Sequence, residues 1–338
     1  MASTKPQGGD MYRCYLIALL LVIFLVGCTA PPTEQIKQDP IVTPEGIRIT
    51  PYVVYGHKFG MTLTFDMYQP KNQNGAGVIL IDSGGWYSIF LKFYTQTAEG
   101  IHLATMEELE TMMVEKMRVN LRSFNIEPLL AKGFTVFSVR HSCGPKFEMS
   151  EIANDLRRAV RFIRFQAEEY GIDSERLGLW GGSAGGHLSL LLATTPDIAN
   201  PQATEEFDKD TGRVAAVVAY YPPTNLKRFV DFHKLNPIGN TSILDAIPAL
   251  NLEDDQYSEF SPINFVSADD PPTLIIHGDK DPGVPIIEGQ SMHQELLKAG
   301  VESKFVTIPD AGHGFEGEDA DHALAEAISW FEEHLLGK

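Results

Sequence analysis

Residues 177–194 read LGLWGGSAGGHLSLLLAT, and at their centre Gly181-Gly182-Ser183-Ala184-Gly185 has the form G-x-S-x-G. The short apolar run Leu177–Trp180 predicts a strand, and Ser183–Thr194 predicts a helix. A serine on so tight a strand-to-helix turn is held in strained backbone geometry, with its hydroxyl pointing out at the carboxyl edge of a sheet. Neighbouring glycines leave room for the turn. The N–H of Ala184 then lies at a helix N-terminus, aimed at developing negative charge.

Working outward, strands and helices alternate. Ile47–Val54 and Met61–Tyr68 read as strands joined by a turn at Gly56–Gly60. The runs Gly77–Asp82 and Phe134–Val139 are short and continuously apolar, as in strands covered on both faces. Ser150–Glu169 reads as a helix with Ser150 as N-cap and an apolar stripe of Ile152, Leu156, Ala159, Val160 and Ile163. Its Arg157, Arg161 and Arg164 fall on another face, expected to be solvated. Strands Val214–Tyr220, Thr273–His277 and Ser303–Ile308 follow, with helices Pro285–Ala299 and Ala320–Leu336. The pattern predicts one α/β domain over residues 46–338, with a mostly parallel eight-stranded sheet flanked by helices. Two stretches interrupt it, near 88–124 and 222–265. The first carries Met106, Leu109, Met113 and Met117 at helical spacing. Either stretch is a candidate cap over a pocket at the carboxyl ends of the strands.

A nucleophilic serine needs a base, and the base needs an orienting carboxylate. His313 sits in Asp310-Ala311-Gly312-His313-Gly314-Phe315, just after the last strand, which makes it the candidate base. His141, also beyond a strand, is the reserve. His187, one helical turn after Ser183, is expected to pack or cap nearby, and His277 to make a structural hydrogen bond. For the acid, Asp279 and Asp281 are both available in the loop after Thr273–His277. The order Ser, Asp, His differs from that of trypsin-like and subtilisin-like proteases. A second oxyanion donor is expected in Asp82-Ser83-Gly84-Gly85-Trp86, where glycines allow close approach of N–H groups.

From about Gly46 to its end the chain resembles the α/β-hydrolase superfamily. Within it, the body is similar to bacterial esterases and lipases of the hormone-sensitive-lipase-like and acetyl-xylan or feruloyl-esterase-like kind. That group's pattern H-G-x-x-D-x-x-V-P matches His277 through Pro285, and the resemblance selects Asp281 as the acid. Its H-G-G-G-W oxyanion motif corresponds to Asp82 through Trp86, with Asp82 in place of His and Ser83 in place of the first Gly. The resemblance therefore implies Gly84, Gly85 and Ala184 as oxyanion donors. Where the chain departs from that motif, Asp82 is expected to brace the loop in place of the missing His by accepting backbone hydrogen bonds. It implies a serine carboxylesterase acting on short-chain acyl esters, including acetyl or feruloyl groups on polysaccharides, without metal or organic cofactor. A serine peptidase or amidase of the same fold, prolyl-oligopeptidase-like or formamidase-like, stays open. So does a non-catalytic lipid-anchored binding protein.

Composition bounds the rest. The chain has 338 residues, 43% hydrophobic, enough for a sizeable core. Its 45 acidic against 27 basic residues give a formal charge of −18, which argues against a nucleic-acid partner. Three cysteines without zinc-ligand spacing exclude a disulfide scaffold. Leu16–Val26 is an unbroken apolar run, too short to span a bilayer core of roughly twenty residues. With Lys5 and Arg13 ahead of it, it reads as a signal peptide over residues 1–27, for which Met11 is an alternative start. Leu25-Val26-Gly27-Cys28 resembles the bacterial lipoprotein signal, which implies lipidation of Cys28 and an exported, envelope-anchored protein. Residues 28–45 read as a flexible tether. With Cys14 removed and Cys28 lipidated, Cys143 has no partner and reads as a small packed hydrophobe.

Overall fold

The computed structural model describes residues 40–88, 94–97, 100–103, 124–236 and 243–338. The signal peptide, Cys28, most of the tether and most of the stretch near 88–124, with its methionine stripe, lie outside the described residues.

The main sheet contains β1 (Ile41–Val42), β2 (Arg48–Lys58), β3 (Met61–Gln69), β4 (Gly77–Ile81) and β5 (Thr135–Val139). It continues through β6 (Leu177–Gly182), β7 (Ala216–Tyr220), β8 (Thr273–Gly278) and β9 (Ser303–Ile308). The order is β1-β2-β3-β5-β4-β6-β7-β8-β9. From β5 to β9 neighbouring strands run parallel, while β1, β2 and β3 add antiparallel pairings at one edge. Among the described residues the sheet has nine strands where eight were expected. The extra one, Ile41–Val42, belongs to the stretch read as tether, and it pairs with Ile49 and Arg48.

Every residue of β4, β5, β6, β7 and β8 is buried, and alternation along each strand divides the core in two. Ile79, Ile81, Leu179 and Val217 face one layer with Leu156, Val160, Leu188 and Met292. These come from helices α2 (Met149–Phe165), α3 (Ala184–Thr194) and α5 (Ile287–Lys298). Val78, Leu80, Trp180 and Val218 face the other, with Leu129, Leu324 and Phe331. Those come from α1 (Glu127–Ala131) and α6 (Gly317–Leu336). Burying each such aliphatic side chain is worth roughly 1.5–3 kcal/mol.

Two local readings change. The N-cap of α2 is Glu148 rather than Ser150, and Glu148 N–H donates to the Glu151 carboxylate at 3.1 Å, part of a capping box. The arginine face of α2 is not simply solvated. Arg161 pairs with Asp197 and Arg158 with Asp208. Arg164 donates to the carbonyls of Ser174 (2.6 Å) and Arg213 (2.9 Å). These residues tie α2 to the connection between α3 and β7.

The stretch Pro222–Phe265, read as an interruption of the alternation and a candidate cap, contains α4 (Leu226–Leu235). The Asn225 side chain caps it by accepting from Arg228 N–H at 3.0 Å. Leu226, Phe229, Val230 and His233 form its buried stripe. Their i, i+3, i+4, i+7 spacing was visible in the sequence. No helix among the described residues is long and apolar enough to cross a membrane.

Strand order positions the site. β4 lies between β5 and β6, with Leu80 opposite Trp180. The loops leaving the carboxyl ends of β4 and β6 therefore emerge side by side, at the kind of crevice where ligands bind in open α/β sheets.

Candidate active site

Ser183 occupies the turn between β6 and α3 with φ 54° and ψ −120°. Such a backbone costs a non-glycine residue roughly 1–3 kcal/mol and persists only where the surroundings fix it. Here Ser183 N–H donates to Tyr220 O at the end of β7 (2.9 Å), and Ser183 O accepts from His187 N–H (2.9 Å). Close packing accounts for the glycines. A Cβ on Gly181 would lie 2.5 Å from the Gly185 carbonyl, and one on Gly185 would lie 2.7 Å from Ile81 O. The serine turn thus rests backbone to backbone on the carboxyl end of β4.

The acid and base loops leave β8 and β9, whose ends are in register with Gly278 opposite Ile308. A Cβ on Gly278 would come within 2.3 Å of Ala311 O. Lys280 N–H donates to Ala311 O (3.0 Å). Asp310 N–H donates to Asp279 Oδ1 (2.7 Å). Asp279 therefore braces the turn before His313.

Asp281 is the carboxylate that meets the imidazole. Its Oδ2 lies 2.8 Å from His313 Nδ1, and His313 Nε2 lies 3.0 Å from Ser183 Oγ. Asp281 Oδ1 accepts from Gly283 N–H (2.7 Å) and Val284 N–H (2.8 Å). Burial alone would raise the pKa of Asp281. Contacts from His277 and His313, the charge of His313 and the Val284 N–H outweigh burial and hold it well below the usual carboxylate range. The His277 contact is long, with Nε2 at 3.6 Å from Asp281 Oδ2, because its proton is directed to Val284 O at 2.9 Å. That is the structural hydrogen bond expected of His277. The row runs from a buried carboxylate to a half-exposed serine, as a site that receives solute from solvent requires.

The residues expected to donate to an oxyanion, Gly84, Gly85 and Ala184, lie in a turn after β4 and at the start of α3. Ser83–Gly84 and Tyr87–Ser88 form a two-stranded ribbon around Gly85–Trp86. Both turn residues have positive φ, 57° and 58°, as a two-residue hairpin turn of the mirror-image type demands. Ala184 opens α3, where backbone N–H groups have no partner within the helix. Asp82 departs from expectation. The Ser138 hydroxyl donates to its Oδ2, and among the described residues no backbone N–H donates to it and its Oδ1 has no hydrogen-bond partner. Burial pushes its pKa well above the carboxylate range.

His141, the reserve base, is buried against its own loop, its ring contacting Ser142 O. Burial lowers its pKa to about 4. His187 packs nearby as expected, with no solvent exposure. Cys143 is half-buried and free. Tyr221 was not anticipated. Its ring lies edge-on to His313 at 4.7 Å between centroids, and its N–H donates to Ile276 O at 2.7 Å. The sequence signal was slight, a tyrosine directly after a strand and before Pro222-Pro223.

Comparison with known proteins gives the family and the fold. The profile of the family BD-FAE matches residues 112–296, more than half of the chain. The chain is 30% identical over 215 residues to Esterase LipC of Mycobacterium tuberculosis, covering 60% of this chain and 51% of that one. It is 27% identical over 200 residues to the probable carboxylic ester hydrolase LipM of the same organism, covering 58% and 46%. It thus spans about half the length of the curated relatives it matches. A truncated form of a carbohydrate esterase from gut microbiota superposes with a TM-score of 0.60 at 24% identity, covering 88% of this chain and 98% of that chain. The fold is the α/β-hydrolase fold.

Proposed function

The chain belongs to the BD-FAE family, and from that premise we propose that it is a serine carboxylesterase working through an acyl-enzyme. The observation that carries the reading is the row Asp281–His313–Ser183, with separations of 2.8 and 3.0 Å. His313 takes the Ser183 proton as Oγ attacks the ester carbonyl, and Asp281 holds the imidazole and stabilises its cationic form. The N–H groups of Gly84, Gly85 and Ala184 receive the oxyanion. His313 then returns the proton to the leaving alcohol, and water repeats the sequence on the acyl-enzyme. Nothing in these steps calls for a metal or an organic cofactor.

The substrate class proposed is a short-chain acyl ester, with acetyl or feruloyl groups on polysaccharides as natural examples. The likeness to a carbohydrate esterase and to proteins named as esterases supports it. The test is turnover of p-nitrophenyl esters from acetate to decanoate by the full chain in mild detergent, beside Ser183→Ala. Acetate or butyrate hydrolysis that disappears in the variant supports the proposal. A folded protein inert toward every ester, yet active on formanilides or peptide amides, would replace it with an amidase.

On sequence grounds we also propose an exported protein anchored through lipid on Cys28. Radiolabelled palmitate incorporated by the wild type and not by Cys28→Ala would support that location; equal labelling would refute it.

A further inference from the structure

The ring of His187 joins three segments that chain order keeps far apart. It stands on α3 one turn after Ser183 and has no solvent exposure. Its Nδ1 accepts the indole N–H of Trp86 at 3.0 Å, and its Nε2 lies 2.7 Å from Phe260 O. Trp86 has only a proton to give and Phe260 O only a lone pair, so the tautomer is fixed with hydrogen on Nε2. Both ring nitrogens are used. Burial lowers the pKa to about 4, so the ring stays neutral and keeps this arrangement near pH 7.

Trp86 closes the turn of the Ser83–Ser88 ribbon with φ 58°, beside Gly85 at 57°. Positive φ is unfavourable for a bulky residue and needs an outside restraint. The restraint is visible. The indole is 2% exposed and packs edge-on against His187, with centroids 5.2 Å apart, and against Phe229 of α4 at 6.2 Å. The Trp86–His187 bond spans 101 residues, and His187–Phe260 a further 73. One side chain therefore ties the serine helix to the loop carrying Gly84 and Gly85, and both to the stretch 222–265.

We infer that His187 is a positioning residue: through Trp86 it holds the Gly84–Gly85 loop where its N–H groups meet the oxyanion, and through Phe260 it couples that loop to the stretch 222–265. The inference rests on the serine-esterase reading of the same site. Oxyanion stabilisation depends on donors fixed in advance of reaction, and displacements of an ångström in such sites cost on the order of 10²-fold.

The experiment compares wild type with His187→Leu, His187→Asn and Trp86→Phe. It measures the rate of Ser183 labelling by a fluorophosphonate, whose phosphoryl oxygen occupies the oxyanion position, together with kcat and KM on p-nitrophenyl acetate. Thermal melting identifies the folded variants. His187→Leu and Trp86→Phe should each lower labelling and kcat by about 10–100-fold with KM nearly unchanged. His187→Asn keeps an acceptor near the Nδ1 position and should recover most of the loss. Trp86→Phe in the His187→Leu background should add less than about twofold, because both changes break one linkage. Trp86→Phe retains an aromatic ring and deletes the donor, so it decides the matter alone if His187→Leu does not fold. Folded variants that label as fast as wild type, or losses that multiply in the double variant, overturn the inference. A wild-type protein that does not label at Ser183 overturns the serine-esterase reading itself, which separates the two failures.

Discussion

His313 approaches Asp281 through Nδ1 at 2.8 Å, on the carboxylate oxygen left free once Gly283 and Val284 N–H groups have taken the other. The two oxygens have separate work: one anchors the acid to its own loop, the other orients the ring that faces Ser183. Asp279, two residues earlier in the same loop, is turned to Asp310 N–H instead. The two aspartates should therefore behave differently. Asp281→Asn is expected to lower kcat by about 10⁴-fold, as expected when the orienting carboxylate of such a triad is neutralised. Asp279→Asn should leave kcat within about threefold, since it touches only the supporting turn. Initial rates on p-nitrophenyl acetate decide it; comparable losses in both variants would show that the acid is wrongly assigned.

The serine turn has no room for a single extra carbon. Gly181→Ala would press a Cβ to 2.5 Å from the Gly185 carbonyl, against backbone and not a movable side chain. Overpacking of this kind costs about 1–3 kcal/mol even where neighbours can shift, so a loss at or above that range is expected, with activity falling too. At Gly60, in the β2–β3 hairpin, no described residue lies within 4 Å of the added carbon, and its φ of 79° opposes the change. Gly60→Ala should cost about 1 kcal/mol. Urea denaturation of both variants measures the contrast, and equal midpoints would contradict it.

Two buried histidines make stability depend on mild acid. The pKa values of His187 and His141 are lowered by burial to about 4, against about 6.5 in an unfolded chain. Above pH 6.5 both are neutral in either state and the full stability is present. As pH falls from 6.5 to 4 the unfolded chain binds protons that the folded one declines, so stability drops, by up to about 3 kcal/mol per histidine. His187→Gln removes one of these groups, so its urea midpoint should change less between pH 7 and pH 4.5 than that of wild type. Parallel curves for the two proteins would refute this.

A mechanism made of side chains and backbone N–H groups is indifferent to chelators. Overnight dialysis against EDTA should leave kcat on p-nitrophenyl acetate unchanged. Activity lost in EDTA and restored by a divalent cation would point to metal-assisted hydrolysis instead.

Much of this was written locally. The run LGLW followed by GGSAG fixes a strand, a tight turn and a helix within a few residues, because tight turns select small residues and buried strands select apolar ones. The loop bearing His313 was legible for the same reason, as a glycine-flanked histidine directly after a strand. The buried stripe of α4 is equally local, although prolines and acids around it mask its period.

Other features have no local signature. Asp279 and Asp281 are the same residue type in one loop, and which of them meets His313 depends on a turn stitched across two strands. Asp82 stands where the related motif carries histidine, and only the structure shows that it is buried and accepts from the Ser138 hydroxyl, with no backbone N–H donor among the described residues. The sequence by itself determined the elements, their apolar faces and the chemical groups available at their ends, since periodicity and turn chemistry act over a few residues. Only the tertiary structure decided which groups meet. Ser183 and His313 lie 130 positions apart, and the parallel order of β4, β6, β7, β8 and β9 delivers their loops to one edge of the sheet, where hydrogen bonds only a few ångströms long select the partners.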